Sequence, residues 1–254
     1  MAVRGLASGR GIASGRWFGT EEIFVDLESW YKMNASSGNE ADSSGNGNTL
    51  TQVGTVASDL GKIGNARGSY SEDMNYFSRA PLILSGSLSF SCWFKGPSFG
   101  GVPQVLMSQG STGDSQGYQV LLYEDGHETV RAIVDGGYQL LSATGSAPMN
   151  QWNHAVMVFD AVGVTLELWV NGATTGPVPW VPANFSTVDR FTVGWEYDFL
   201  GSGFQAFTGL VDLVGVWSKA LLAAEVAFLF DTRSGRDHPF GATSIGIASG
   251  RQMV

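Results

Sequence analysis

WNHAVMVFDAVGVTLELWVNG, residues 152–172, holds two strand patterns and the turn that closes the second. In its second half Val164, Leu166, Leu168 and Val170 alternate with Thr165, Glu167, Trp169 and Asn171. Apolar residues at every second position suit a strand with one buried face, because successive side chains point to opposite sides of a sheet. Asn171-Gly172 then supplies the residue pair that accepts positive φ at both central positions of a two-residue hairpin turn. The same period recurs upstream in SLSFSCWFK (87–95), where Leu88, Phe90, Cys92 and Phe94 alternate with Ser87, Ser89, Ser91, Trp93 and Lys95. Less regular runs follow the same habit: GYQVLLYE (117–124), ETVRAIV (128–134), WNHAVMVFD (152–160) and RFTVGWE (190–196). Gly, Asn, Ser and Pro separate them at short intervals. Such a pattern predicts an all-β chain, a two-sheet antiparallel jelly-roll sandwich.

One segment breaks the period. LLAAEVAFLFD (221–231) reads as a single short C-terminal helix after the strand LVDLVGVW (210–217), with Ser218 as an approximate N-terminal cap and Gly235 beyond its end. Strands and helices do not alternate, which disfavours a doubly wound nucleotide-binding fold.

Composition narrows the function classes. With 254 residues, 43% of them hydrophobic and 15% charged, the chain can bury a substantial core. A net charge of −9 argues against binding nucleic acid through its phosphates. No apolar run reaches membrane-spanning length, and Gly, Ser and Arg follow Arg4 where a secretory signal needs continuous apolar residues. The expectation is a protein with no signal peptide, no membrane contact and no direct nucleic-acid contact. The single Cys92 excludes an intramolecular disulfide and reads as a small core residue.

Both ends carry one hexapeptide. G-[LI]-A-S-G-R occurs at 5–10, 11–16 and 246–251. Arg4, Arg10, Arg16 and Arg251 are four of the fourteen basic residues, so the ends are basic and the remainder is more acidic than the whole. Gly/Ser-rich sequence is ordinarily linker. Repeated and oppositely charged to the body, it predicts extended Gly/Arg-rich terminal arms that dock on an acidic surface, other copies of the chain included. The expected organisation is an N-terminal arm at 1–19, a jelly-roll domain at 20–232 and a C-terminal arm at 233–254.

Several segments, taken in order, resemble the laminin G-like, concanavalin A-like jelly-roll family. FVDLESWYKM, the polar turn ADSSGNGNTL (41–50) and Gly61-Lys62-Ile63-Gly64-Asn65-Ala66 resemble its opening. SFSCWFK (89–95), Trp152-Asn153-His154-Ala155 with LELWVNG (166–172), and FTGLVDLVGVWSKALLAAEVAFLF (207–230) are similar to its later strands, hairpin and closing helix. The resemblance runs over residues 20–232. It implies two packed antiparallel sheets of about a dozen to fourteen strands with the chain ends close together on one sheet. Members include lectins, glycosidases, adhesion modules and virus-particle proteins, so function has to come from the site.

Catalysis finds little support. Glycosidases of this jelly roll carry E-x-D-x-x-E on one strand, and the nearest string, Glu196-Tyr197-Asp198-Phe199-Leu200-Gly201, ends in Gly201. His127, His154 and His238 are far apart and lie in no nucleophile motif; His154 reads as a packed, hydrogen-bonded strand residue. The chain is expected to be no enzyme and to need no cofactor, with calcium as the one metal to test: Asp26, Asp42, Asn46, Asn48 and Asp212 offer the oxygen ligands calcium takes, although the Asp-Ser-Ser-Gly-Asn-Gly-Asn string is also ordinary turn sequence. Trp180, Trp195, Tyr197 and Phe199 lie in or beside loops and offer aromatic faces to a sugar or protein partner, with Trp180 stiffened by the prolines of PVPWVPANF (177–185). The leading expectation is a structural protein of a virus particle, a bacteriophage capsid decoration or tail-associated protein. It would reside in the virion, form a homo-oligomer and contact other virion proteins through its arms. The alternative is a carbohydrate-binding adhesion module for a cell-surface glycan.

Overall fold

The structure, a computed structural model, describes residues 22–71, 74–82, 85–97, 102–110, 119–124, 127–134, 138–180, 190–195 and 205–238. A short 3-10 turn, Glu22–Phe24, precedes β1 (Leu27–Tyr31), β2 (Thr51–Val53), β3 (Ala57–Leu60), β4 (Asn65–Gly68), β5 (Tyr76–Arg79) and β6 (Leu88–Lys95). The middle of the chain forms β7 (Gln104–Gly110), β8 (Gln119–Glu124), β9 (Thr129–Val134), β10 (Tyr138–Leu141), β11 (Asn153–Asp160) and β12 (Thr165–Val170). Then come β13 (Ala173–Thr174), β14 (Val178–Pro179), β15 (Arg190–Val193), β16 (Gln205–Ala206), β17 (Leu210–Trp217), the helix α1 (Ala223–Phe230) and a final 3-10 turn, Asp231–Arg233. The strands exceed the expected number because β13, β14 and β16 are two-residue pairings at the rims.

Among the described residues the strands make two sheets. The first has nine, ordered β13-β12-β11-β6-β17-β4-β3, with β1 added on β17 and β14 on β12. The second has eight, ordered β10-β9-β8-β7-β15-β5-β2, with β16 on β7. All pairs are antiparallel except β16 with β7. The main core lies between the sheets and takes Leu88, Phe90, Cys92 and Phe94 from β6, Leu166, Leu168 and Val170 from β12, and Met107, Leu121, Phe191 and Val193 from the second sheet. The alternation in the sequence thus names the core-facing residues of both strands. Val164 is the exception: its φ of 52° puts it in the turn before β12. Asn171 and Gly172 have φ of 51° and 81°, as their hairpin turn requires.

The other face of β6 is buried too, which the period of two does not foretell. A second cluster there gathers Ile23, Leu27, Trp30, Trp93, Val156, Val158, Leu213, Trp217 and Leu221 beneath Val226 and Leu229 of α1. Burying each of those two helix side chains is worth about 1.5–3 kcal/mol. The serines on this face are engaged: Ser89 Oγ donates to the Lys219 carbonyl at 2.8 Å and accepts from Leu221 N–H at 3.0 Å. The helix starts later than expected and without Ser218 as its cap. Leu222 occupies the cap position, and Glu225 reaches back to its N–H at 2.7 Å while pairing with Lys219. Ser218 instead donates to Glu28 at 2.6 Å, tying the end of β17 to β1.

The free thiol of Cys92 is buried, and burial pushes its pKa well above the ordinary range. His154 is packed as expected. Its Nε2 lies 2.9 Å from Ser91 Oγ, and its ring packs beside those of Trp93 and Phe230, with centroids 5.1 and 6.0 Å away. Burial pulls its pKa down to about 3.

Candidate functional site

Two places gather the residues that the sequence singles out. The first is the outer face of the second sheet. Met107 and Val193 face the core, so their neighbours Ser108 and Thr192, directly opposite one another in register, lie on the other side of the sheet, where both are buried at 4% and 1% exposure. The backbone register sets Gln139, Ile133, Val120, Ser108, Thr192, Ser78 and Thr51 level with one another across six strand pairs, with Ile133 buried as well. Thr192 Oγ1 donates to the Trp195 carbonyl, and Ser108 Oγ donates to Thr192 Oγ1 at 2.7 Å. Trp195 is thereby fixed at the end of β15. It is half-buried against the main core, and its indole N–H finds no acceptor among the described residues. A buried donor with no acceptor is uncommon enough to require an explanation, and a bound ligand or water oxygen is one.

The turn that delivers Trp195 depends on Gly194. Its φ is 84°, its N–H donates to the Leu106 carbonyl at 2.9 Å, and a Cβ there would sit 2.1 Å from the Tyr70 ring. Gly194→Ala is therefore expected to destabilise the protein by more than the about 1 kcal/mol of the conformational term alone, read as a lowered urea midpoint.

Trp180 is not the exposed anchor that its proline-flanked loop suggested. Its N–H donates to the Val164 carbonyl at 2.7 Å and its side chain is 8% exposed within the main core. Pro177 and Pro179 lie along the rim, Pro179 within β14, and the apolar ring turns inward because that removes the most surface from water. Tyr197 and Phe199 lie outside the described residues, as do Glu196, Asp198 and Gly201. Arg4, Arg10, Arg16 and Arg251 do too.

The second place is the pole where the described chain begins and ends. β1 pairs with β17, so both ends belong to the first sheet. Residues 236–238, assigned from sequence to the C-terminal arm, fold back on β1: Trp30 Nε1 donates to Asp237 at 3.3 Å, and Lys32 pairs with Asp237 at 3.0 Å. Sequence reasoning missed this latch, because short polar segments have no periodicity to read.

Of the five oxygen donors considered for calcium, Asp42, Asn46 and Asn48 share one turn, and Asp212 is engaged elsewhere. The Asp42 carboxylate accepts from Trp30 N–H, from Ser44 N–H and Oγ–H, and from Asn48 N–H, at 2.8–3.0 Å. Asn46 and Asn48 turn their amide nitrogens onto the carbonyls of Leu27 and Glu28, occupying the backbone oxygens a cation would need. Asp26 is exposed, and its carbonyl is held by Ser218 N–H. Asp212 is engaged elsewhere, accepting from Lys62, Ile63 and Leu213 N–H at 2.7, 3.0 and 2.8 Å. Among the described residues no three His, Cys, Asp or Glu side chains gather as a metal group. The donor set fits a folded turn and a locked bulge better than a calcium site.

The charged groups that sequence reasoning missed are Arg67 and Glu40. Arg67 is fully buried, bonded to Glu40 at 2.6 Å, to Gln52 at 2.5 Å and to the Gly38, Val56 and Ala57 carbonyls. Burial raises the Glu40 pKa and the Arg67 guanidinium counters it.

A family model for the concanavalin A-like lectin/glucanases superfamily matches residues 71–227, more than half of the chain. The chain belongs to the concanavalin A-like lectin/glucanases superfamily. Solved structures with this jelly roll include domain 4 of AbnA, an extracellular arabinanase from Geobacillus stearothermophilus, at 18% identity and a TM-score of 0.60, covering 83% of this chain and 98% of that one. The binding domain of Paraclostridial Mosquitocidal Protein 1 matches at 16% identity and 0.64, covering 83% and 53%. Trypanosoma rangeli sialidase matches at 12% identity and 0.62, covering 84% of this chain and 34% of the enzyme. The binding domain of botulinum neurotoxin DC matches at 10% and 0.62, covering 83% and 52%. The chain thus spans about half of each toxin binding domain and a third of the sialidase. At such identities the likeness shows the fold. A search of curated proteins found no match. Among the described residues no helix is long and apolar enough to cross a membrane.

Proposed function

We propose that this superfamily member is a non-enzymatic binding module, anchored through its basic terminal segments and presenting the outer face of its second sheet to a cell-surface glycan. The observation that carries this reading is the division of labour between layers: the first and last described strands, β1 and β17, pair in the first sheet, whereas the half-buried Trp195, its carbonyl held by Thr192 and through it by Ser108, stands at the end of β15 in the second. An anchor on one layer leaves the opposite layer free for a ligand. The structural relatives support the binding half. The arabinanase domain was solved with arabinotriose and the neurotoxin domain with rat synaptotagmin II, so one fold serves a sugar in one case and a protein in the other.

The non-enzymatic half is supported by the Ser91–His154 pair, which is sealed in the interior with each residue 1% exposed, out of reach of any substrate. A glycan array tests the reading. The full chain is expected to bind a defined glycan class, and Trp195→Ala to weaken that binding at least tenfold when measured well below its lowered melting temperature. Turnover of an oligosaccharide substrate, or binding untouched by the substitution, would contradict it.

A second reading concerns what the anchor holds to. The basic repeats at both ends of the sequence favour attachment to a protein assembly, and we infer a virus particle, with the protein as a bacteriophage capsid decoration or tail-associated component resident in the virion. Electron microscopy of the protein in its native assembly tests this. Density at repeated positions on a particle surface is expected, and protein recovered only free of particles would overturn it.

A further inference from the structure

At one end of the first sheet five strand ends stand level. Thr165 pairs with Asp160, Phe159 with Leu88, Ser89 with Trp217 and Trp217 with Leu27, so the ends of β11 and β17 and the starts of β12, β6 and β1 share one rim. The approach to α1 lies there too, because Leu221 N–H donates to Ser89 Oγ at 3.0 Å. Val162 in the turn after β11 is 92% exposed, Leu222 before α1 55%, and Val25 and Phe24 before β1 54% and 36%. Of the seven large hydrophobic residues exposed among the described residues, these four therefore share a single rim. From β11 to β1 there are three strand spacings, about 14 Å, so one small partner reaches all four. Exposed apolar surface gathered in one place marks a contact with something else.

The backbone beneath each side chain is fixed, which stops these residues from folding inward. Ala161 N–H donates to Ser87 Oγ at 3.0 Å, and Val162 N–H to Asp160 at 2.9 Å. The Trp217 indole N–H holds the Ile23 carbonyl at 2.9 Å, and Ser218 N–H the Asp26 carbonyl at 2.9 Å. Leu222 N–H is held by Glu225. The charge beside them is acidic: Asp26 is exposed and Asp160 half-buried, while Lys219 is paired with Glu225. An occupant of this rim needs large apolar side chains flanked by a cation.

The chain carries such a segment next to the rim. Arg16-Trp17-Phe18 lies outside the described residues and ends four residues before Glu22, which leads directly into Phe24 and Val25. Five residue steps from Glu22 back to Trp17 span at most about 18 Å, enough to cross the rim. No other neighbouring pair in residues 1–21 offers as much apolar surface as Trp17 with Phe18. We propose that Trp17 and Phe18 seat on the rim formed by Phe24, Val25, Val162 and Leu222 of the same chain, with Arg16 beside Asp26. The N-terminal repeats then leave the molecule from this end of the first sheet. This docking is independent of the ligand face on the second sheet.

Fluorine NMR of the full chain grown with fluorinated tryptophan tests it, the Trp17 signal being the one lost in Trp17→Phe. In the wild-type chain that signal is expected away from the position of the free amino acid, with a reduced shift between light and heavy water. Val162→Asp and Leu222→Asp should each return it to the free position and restore the full solvent shift. Both substitutions spare the fold, because Val162 stands at a turn tip and Asp is a preferred residue at the helix cap that Leu222 occupies. Leu60→Asp, at an exposed site on β3 away from the rim, is expected to leave the signal unmoved. A wild-type Trp17 signal at the free position overturns the inference, as does a displaced signal that neither rim substitution moves. Dilution separates the occupants: a displacement that persists on dilution supports seating within one chain, and one that fades overturns it by showing that a second copy fills the rim.

Discussion

Replacing Arg67 with Met is expected to cost about 3–5 kcal/mol, the range for removing one partner of a buried ion pair. The guanidinium is the hub of a closed network inside the first sheet's edge, where it meets Glu40, Gln52 and three backbone carbonyls with no exposure to water. A methionine fills much of the volume and leaves the Glu40 carboxylate, 3% exposed, without its counter-charge. The loop from Gly38 to Glu40 and the strands β2 and β3 are tied together through this one side chain, so the loss is felt across the opening third of the sandwich. Urea denaturation measures it as a lowered midpoint. The double variant Arg67→Met/Glu40→Gln should recover part of the loss, because it removes the stranded charge. A single variant as stable as the parent would show that the network contributes nothing.

Asp212→Ala should be nearly as damaging, at about 3 kcal/mol or more, since leaving a buried donor unpaired costs about 1–3 kcal/mol and three N–H groups lose their acceptor. Those groups belong to Lys62, Ile63 and Leu213. The carboxylate also holds a backbone irregularity: the register of β17 with β6 slips between Asp212 and Gly215, and Leu213 has a φ of 48°. Lys62, positioned by this lock, lies 4.3 Å above the Trp93 ring.

The same residue gives a pH signature. Burial pushes the Asp212 pKa up to about 7, against the downward pull of its three N–H donors. The folded state then holds this proton more tightly than the unfolded chain does. The Asp212 contribution is complete at acid pH below the ordinary carboxylate range and is lost as pH rises toward 7. His154 acts oppositely: with a folded pKa of about 3, its contribution is present above its ordinary 6.5 and is lost as pH falls toward 3. Comparing wild type with Asp212→Asn at pH 5 and pH 8 isolates the first effect. The wild-type chain should lose more stability between those two values than the variant.

The sandwich was legible in the sequence because a period of two is a property of the strand itself. Leu88, Phe90, Cys92 and Phe94, with Leu166, Leu168 and Val170, face the core as their spacing requires. The covering of the opposite face was not legible. Trp93 and the serines around it read as an outward face, and only the return of α1 over the first sheet buries them. Trp180 shows the same limit from the other side, because a proline-rich loop says that a segment is extended and not which way its ring turns. Asp212 and Arg67 carried a readable signal. Each is a charged residue among buried neighbours, Val211 with Leu213 and Ala66 with Gly68, and a charge in that setting needs partners waiting for it. As an oxygen donor Asp212 is one candidate among five for a calcium test, whereas in the structure backbone N–H groups from a segment some 150 residues away occupy it. The family resemblance implies ends close together on one sheet, and in the structure the first and last described segments meet, with Asp237 latched on Trp30 and Lys32.

The central claim is that anchoring and ligand binding reside on separate layers of one jelly roll. A glycan array probed in parallel with the full chain and with its Arg10→Ala/Arg16→Ala/Arg251→Ala variant tests it most directly. The account predicts that both bind the same glycans equally well, because the three arginines belong to the anchor and not to the ligand face. Loss of glycan selectivity in the variant, or no glycan bound by either chain, would contradict it.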